Sequence, residues 1–418
     1  MTTDLVFYFE AHQPYRLVKS LPKNDKLRRD PSQWFDDEAN AWILRRVADR
    51  CYRPMSQLLL EMVERLDGEF SCSLSLSGTL IQQLKDWSPE TVKAFTDLAD
   101  TGHVEFLCET SHHSISGLVQ DGPDALEEFR AQVADQKKTV TDLFGEAPVT
   151  FRNTELIVDE TIAKTVEELG FDLLLGEGAS LLLGWRPPHH LYRPHGCERL
   201  KLLLRDYDFS DDIGFRFSDR TWERYPLFAE AYAEKLKELP ESAQVVGLFM
   251  DYETFGEHQW ASTGIFEFFK ALPRCILDDD RFRFRTPRQV AEDHDAVSEI
   301  RFPRAVSWAD QERDVSAWLG NPMQQTAHHG IHGLRPKAIA AKPALSDAWR
   351  KLTTSDHTYY MATKRSSDGD VHEYFSPYAS PHDAFMIFMD VCDALARELD
   401  DSTPPRPAPQ KPHRKSRK

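Results

Sequence analysis

The sequence predicts an α/β fold: a parallel sheet of seven strands with helices outside it, closed as a barrel, then a C-terminal helical subdomain. Three observations carry this. Seven short stretches of strand length, most of them strongly apolar, lie at residues 5–9, 70–77, 104–107, 149–152, 171–175, 201–205 and 245–250. Amphipathic helical patterns separate several of them, the alternation that builds parallel sheets. From about residue 302 the strand-like stretches stop. The expected division is a barrel over residues 1–300, helices packed on it over 301–400, and a tail over 401–418.

The strands at 5–9 (LVFYF) and 245–250 (VVGLFM) are continuous apolar runs, as strands covered on both faces require. Between them, residues 125–144 repeat apolar side chains at Leu126, Phe129, Val133, Val140 and Leu143, with Pro123 near the start and Gly145 past the end. Residues 159–169 follow the same logic: Asp159 as N-cap, Ile162, Val166 and Leu169 on one face, and Gly170 as the stop. Beyond the barrel, helices are expected at 310–319, 336–352 and 382–399; the last sets Phe385, Phe388, Cys392, Leu395 and Leu399 on one face. The tail, STPPRPAP followed by QKPHRKSRK, has the composition of a disordered segment.

Charge narrows the partners. The formal net charge is −17, but residues 402–418 hold six basic residues and no acid, so the rest stands at 45 basic against 68 acidic, −23. Such a surface disfavours nucleic acid and anionic membranes. No stretch approaches the roughly 18 uninterrupted apolar residues of a membrane span. The six cysteines are scattered without a CxxC pair, unlike a disulfide framework or a zinc knuckle, so buried free thiols are expected. With no basic, apolar leader ahead of MTTDLVFYF, a cytoplasmic location is expected.

Polar residues concentrate in five places, most of them where a strand should end and where barrel and open α/β folds place their sites. Glu10-Ala11-His12-Gln13-Pro14 follows the first strand, and a His–Gln pair suits vicinal hydroxyls because both side chains donate and accept. Residues 102–113 end in Glu109, Ser111, His112 and His113. Adjacent histidines on an extended segment point opposite ways, which argues against one metal taking both. In FRNTEL, Glu155 lies close to Arg152, whose charge favours an ionised carboxylate. In MDYETFGEH, Asp251 and Glu253 alternate just past an apolar strand, with His258 and Trp260 beyond. The fifth place runs through Ser307-Trp308-Ala309-Asp310, Arg313-Asp314 and Trp318, then Thr353 to His357, including Asp356. Aromatic faces there can stack on sugar rings while Asp and His take hydroxyls, or they can be core residues.

In this order, HQP, GHVEF…SHHS, FRNTELI, FMDYETFGEHQW and LTTSDHTYYM resemble the five sequence regions of glycoside hydrolase family 57, and most closely its α-amylase-type members. The resemblance spans residues 5–361, and SDDIGFRFS and SWADQERDVSAWLGN are also similar to that subgroup. It implies a distorted seven-stranded (β/α) barrel followed by a helical bundle, acting on α-glucans with retention of configuration. By motif it assigns Glu155 as nucleophile, Asp251 as general acid/base and His12 as a substrate contact. It places Glu253, His258 and Trp260 around the same pocket. Gln13, His112, Trp318, Asp356 and His357 complete the expected substrate-binding set.

The residues suit the chemistry. A retaining glycosidase needs one ionised carboxylate and one protonated carboxyl. Glu155 beside Arg152 fits the first role; Asp251, between Met250 and Tyr252 and close to Glu253, fits a raised pKa and the second. The mechanism requires no metal or cofactor. The leading expectation is hydrolysis of α-1,4-glucosidic bonds in starch- or glycogen-type glucans. The alternatives are a 4-α-glucanotransferase or branching enzyme with the same residues, and a noncatalytic glucan-binding protein. A metal-dependent deacetylase-like hydrolase would need His112 or His113 to converge with an Asp.

Overall fold

The computed structural model describes residues 2–122 and 124–402. Seven strands match the seven apolar stretches: β1 (Thr3–Ala11), β2 (Cys72–Leu76), β3 (Val104–Phe106), β4 (Thr150–Arg152), β5 (Leu173–Glu177), β6 (Lys201–Arg205) and β7 (Val245–Asp251). They form a curled sheet in the order β3-β2-β1-β7-β6-β5-β4, and every pairing is parallel. Its two edges meet at a parallel bridge between Cys108, just past β3, and Phe151 of β4. Chain order and spatial order therefore agree around the ring, as in a (β/α) barrel.

The barrel is distorted at two seams. β3 and β4 touch through that bridge, and β6 joins β7 at Arg205 opposite Gly247. Gly247 permits the close approach, because a Cβ there would lie 2.4 Å from the Leu204 carbonyl oxygen. A short strand the sequence did not suggest, β8 (Phe282–Phe284), pairs with the first residues of β1. Since β7 covers one edge of β1 from Asp4 to Glu10, β8 shares the other edge with β2.

Along β1 the side chains alternate between two apolar clusters. Val6 and Tyr8 join Leu173, Leu175, Leu203 and Phe249, whereas Leu5, Phe7 and Phe9 pack with helix residues such as Leu59 and Phe269. The helix Glu127–Phe144 ends at Gly145, φ 83°; Pro123 lies outside the described residues. Asp159 caps Glu160–Glu168, its carboxylate accepting from the Ile162 N–H at 2.8 Å.

After the barrel come Ser316–Leu319, Pro322–Gly333, Arg335–Ala338, Pro343–Leu352, Ser355–Tyr359, Ser366–Phe375 and Pro381–Ser402. The helix expected over 310–319 shrinks to its last turn because Asp310 and Arg313 adopt positive φ, 56° and 49°. The one expected over 336–352 is two helices, the second beginning at Pro343. These helices bury Ile331, Trp349, Phe388 and Leu395 together with Leu17, Leu21 and Trp34 from the N-terminal segment. No helix among the described residues is long and apolar enough to cross a membrane. All six cysteines are free thiols. The basic tail, 403–418, lies outside the described residues.

Candidate active site

The carboxyl ends of the strands converge on one cleft. β1 delivers Glu10, His12 and Gln13; the segments after β3 and β4 deliver His113 and Glu155; β6 ends in Arg205; β7 ends in Asp251, followed by Glu253. Glu10 and Asp251 face each other across the β1–β7 pairing. Glu155 and Leu156 are held at φ 58° and 50°, a conformation that costs a non-glycine residue about 1 kcal/mol or more. This turn presents the Glu155 carboxylate to the cleft.

Glu155 is gripped at both oxygens. His113 Nε2 lies 3.3 Å from Oε1, and the Trp308 indole N–H donates to Oε2 at 2.7 Å. Behind His113 sits a buried charge cluster: its Nδ1 lies 2.9 Å from Glu109 Oε2 and 3.1 Å from Glu10 Oε1. The fully buried Arg152 pairs with Glu10 and stands 3.8 Å from Glu109. Burial opposes a charged His113, but Glu10, Glu109 and Glu155 hold its pKa well above the usual range. Burial likewise pushes Glu155 up; the bond and charge of His113, Arg152 and the Trp308 N–H outweigh it, and its pKa lies below the ordinary value.

Asp251 is set the other way. Burial, then the negative charge of Glu155, push its pKa up to about 6, against the pull of Arg152 and Arg205. His258 Nδ1 stands 4.0 Å from Asp251 Oδ2, and burial lowers the His258 pKa to about 4, so it is neutral there. Glu253 is pushed up to about 8 by burial; it accepts from the Tyr52 hydroxyl and, at 3.3 Å, from the His12 backbone N–H.

His12 is fixed on both sides. Its Nδ1 lies 2.7 Å from Ser77 Oγ and its Nε2 3.0 Å from Asp356 Oδ2, while its ring stacks on His113 at 3.9 Å. Burial opposes an ionised Asp356, yet His12 and its hydrogen bond hold the pKa well below the carboxylate range. Gln13 accepts from Arg16 at 3.1 Å.

Of the residues singled out by sequence, Glu155, Asp251, His12, Gln13, Glu253, His258 and Asp356 line this cleft. Four do not. Trp318 is fully buried in the apolar cluster around Phe151 and Val306. His357 is buried, its Nε2 directed at the Lys351 carbonyl oxygen at 3.2 Å. Trp260 is 61% exposed before a short 3-10 turn outside the cleft. His112 turns away to Ser111 Oγ at 2.9 Å, because positive φ at His113 (49°) sends the second histidine inward instead.

His113, Arg205, Trp308 and Tyr359 also line the cleft, and none was singled out as a site residue. His113 and Trp308 lie in segments that strand-end position marks out, and side-chain direction decides which residue of each segment reaches the cleft. Glu10, Glu109 and His113 bring three ligand-type atoms within 4.8 Å of one another. The Arg152 guanidinium already supplies the cation there, so the cluster does not fit a metal ion. The acids facing His113 are Glu10, Glu109 and Glu155, not the Asp that a deacetylase-like centre would need.

The family sequence model described as Glycosyl hydrolase family 57 matches residues 6–303. A protein of Methanocaldococcus jannaschii named "Putative alpha-amylase" is 37% identical over 399 residues, covering 93% of this chain and 83% of that one. Among solved structures, the GH57-type branching enzyme of Pyrococcus horikoshii superposes with a TM-score of 0.64 at 15% identity, over 96% of this chain and 92% of the other. The 4-alpha-glucanotransferase of Thermococcus litoralis gives 0.56 at 14% identity, over 86% of this chain; the chain spans about half of that protein, 52%. At these identities the two structures speak for the fold. The family match and the archaeal relative establish the rest: the chain belongs to glycosyl hydrolase family 57 and is a glycoside hydrolase.

Proposed function

We propose that this chain hydrolyses α-1,4-glucosidic bonds in starch- or glycogen-type α-glucans with retention of configuration, through a glycosyl–enzyme intermediate. The observation that carries the reading is the pair of cleft carboxyls set in opposite directions: Glu155 below the ordinary range, Asp251 up at about 6. In the first step Glu155 bonds to the anomeric carbon as the glycosidic C–O bond breaks, and Asp251 gives its proton to the departing oxygen. Asp251, now ionised, then takes a proton from water as that water attacks the same carbon, and the bonding pair returns to Glu155. His12, fixed by Ser77 and Asp356, and the neutral His258 offer hydrogen bonds to sugar hydroxyls. The faces of Trp308, Tyr359 and Phe375 line the same cleft and suit pyranose rings.

The same chemistry transfers the glycosyl group if a sugar hydroxyl replaces water, so product analysis is the test. Maltoheptaose should give shorter sugars with matching new reducing ends, and Glu155→Gln should give none. A ladder both longer and shorter than the input, without a gain in reducing ends, would make the chain a glucanotransferase or branching enzyme. No turnover by the wild type would leave a glucan-binding role. Free thiols at all six cysteines support a cytoplasmic setting for this reaction.

A further inference from the structure

The segment after the barrel carries an apparatus that the assignment of Glu155 and Asp251 does not use. Trp308 makes two contacts with Glu155: its backbone N–H donates to the Glu155 carbonyl oxygen at 3.3 Å, and its indole N–H donates to Oε2 at 2.7 Å. The indole ring lies under two guanidinium groups, Arg152 at 5.0 Å and Arg205 at 5.8 Å from its centroid. Arg313 secures the backbone of this segment. It donates to the Trp308 carbonyl oxygen, and it reaches Asp211 Oδ2 at 3.4 Å and Glu177 Oε1 at 3.9 Å. Arg205 shares both acids, Asp211 and Glu177, and donates from Nε to the Phe249 carbonyl oxygen of β7 at 2.8 Å. The clamp thus ties the Trp308 loop to the ends of β5, β6 and β7, the strand that carries Asp251.

We propose that Trp308 is a further catalytic residue, holding Glu155 Oε2 through its indole N–H, and that Arg313 is the positioning residue that keeps Trp308 in place. The inference rests on the proposed role of Glu155 as nucleophile. A neutral donor aimed at one carboxylate oxygen does two things. It favours the ionised form, and it stabilises the charge that returns to Glu155 when the bond to the anomeric carbon breaks and the electron pair goes back to the carboxylate. Because the bond is fixed before the reaction, that stabilisation costs no reorganisation at the moment of need. Arg313 lies outside the residues lining the cleft, and its direct hold on the catalytic segment is the bond to the Trp308 carbonyl oxygen.

Two measurements test this. In the first, the pH dependence of kcat/KM on maltoheptaose is compared for wild type, Trp308→Phe, Arg313→Ala and Arg313→Lys. Losing a hydrogen bond to a charged group should move the acid limb up by about one pH unit in Trp308→Phe. Arg313→Ala should move it in the same direction, and Arg313→Lys, which can replace one contact, by less. In the second, the nine indole N–H signals of 15N-tryptophan-labelled protein are followed with pH. The signal missing from Trp308→Phe should titrate in the wild type and stop titrating in Glu155→Gln. This measurement needs no turnover, and the titration itself is read in the wild type. An unmoved acid limb in the folded variants, or a Trp308 signal that does not titrate, overturns the proposal. A titrating signal in a chain whose Glu155→Gln variant keeps full activity leaves the clamp in place and overturns the nucleophile assignment instead.

Discussion

Raising the pH should titrate away the proton that the proposed mechanism needs for the leaving oxygen. With Asp251 at about 6, its protonated fraction falls to about a tenth at pH 7 and about a hundredth at pH 8. Glu155, below the ordinary glutamate value, stays ionised until well under that point. The profile of kcat/KM on maltoheptaose should therefore peak on the acid side of pH 6 and lose about tenfold per pH unit above it. The decisive control changes the leaving group. From a dinitrophenyl maltooligosaccharide the dinitrophenolate leaves as a stable anion without a proton, so kcat/KM on that substrate should lose the basic limb. On the same grounds Asp251→Asn should lose about 10²–10⁴-fold on maltoheptaose while keeping most of its kcat/KM on the activated substrate. A basic limb that persists with the dinitrophenyl substrate refutes the reasoning. So does equal loss of both substrates in Asp251→Asn.

The raised pKa of Asp251 also bears on stability. A carboxyl whose folded pKa is raised stabilises most below the unfolded value, and that contribution is lost as pH rises through about 6. Asp251→Asn should therefore melt higher than wild type at pH 7 and equal to it near pH 4. The side chain is 38% exposed, so screening by water limits the gain to about 1 kcal/mol; a variant no more stable at pH 7 contradicts the shift. Trp318→Ala should cost about 3–5 kcal/mol of stability by opening a core cavity, with glucan affinity of the folded fraction unchanged. Trp318→Phe should cost much less, since the indole Nε1 is buried without a partner; calorimetry against binding isotherms separates the two. Trp260→Ala should change stability by no more than about 0.5 kcal/mol and leave maltoheptaose KM unchanged, and a several-fold rise in KM would put that residue back in the site.

Much of this architecture was legible because the strands are short, covered on both faces and almost continuously apolar. β8 leaves little trace in the sequence, since FRF is three residues long with an arginine in the middle. The helix Pro322–Gly333 was obscured by Gly330 and Gly333, although Asn321, Pro322 and Gln324 spell a capping box at its start. At the site, strand-end acids are legible because a continuous apolar run, covered on both faces, gives way to polar residues where the cleft begins. Which of two adjacent histidines faces inward depends on one positive φ at His113. Which of two tryptophans ten residues apart meets Glu155 depends on how the loop at Asp310 and Arg313 turns. Neither choice leaves a periodic trace in sequence.

Why the two cleft carboxyls part company follows from counting charges at the strand ends. Arg152 and the protonated His113 supply two positive charges. Glu10, which burial pushes well above the ordinary value, Glu109 and Glu155 set three carboxyl groups against those two cations, so no cation is left over for Asp251. Glu155 also receives the Trp308 N–H, a bond that favours its charged form. Asp251 has the neutral His258 at 4.0 Å and feels Glu155 as a like charge, while the nearby Arg205 is engaged by Glu177 and Asp211. The proton therefore resides on Asp251: burial lifts its pKa, Glu155 adds to the lift, and the donors that could offset both are committed elsewhere. Removing one of those donors should push Glu155 upward and narrow the pH interval in which one acid is ionised and the other protonated.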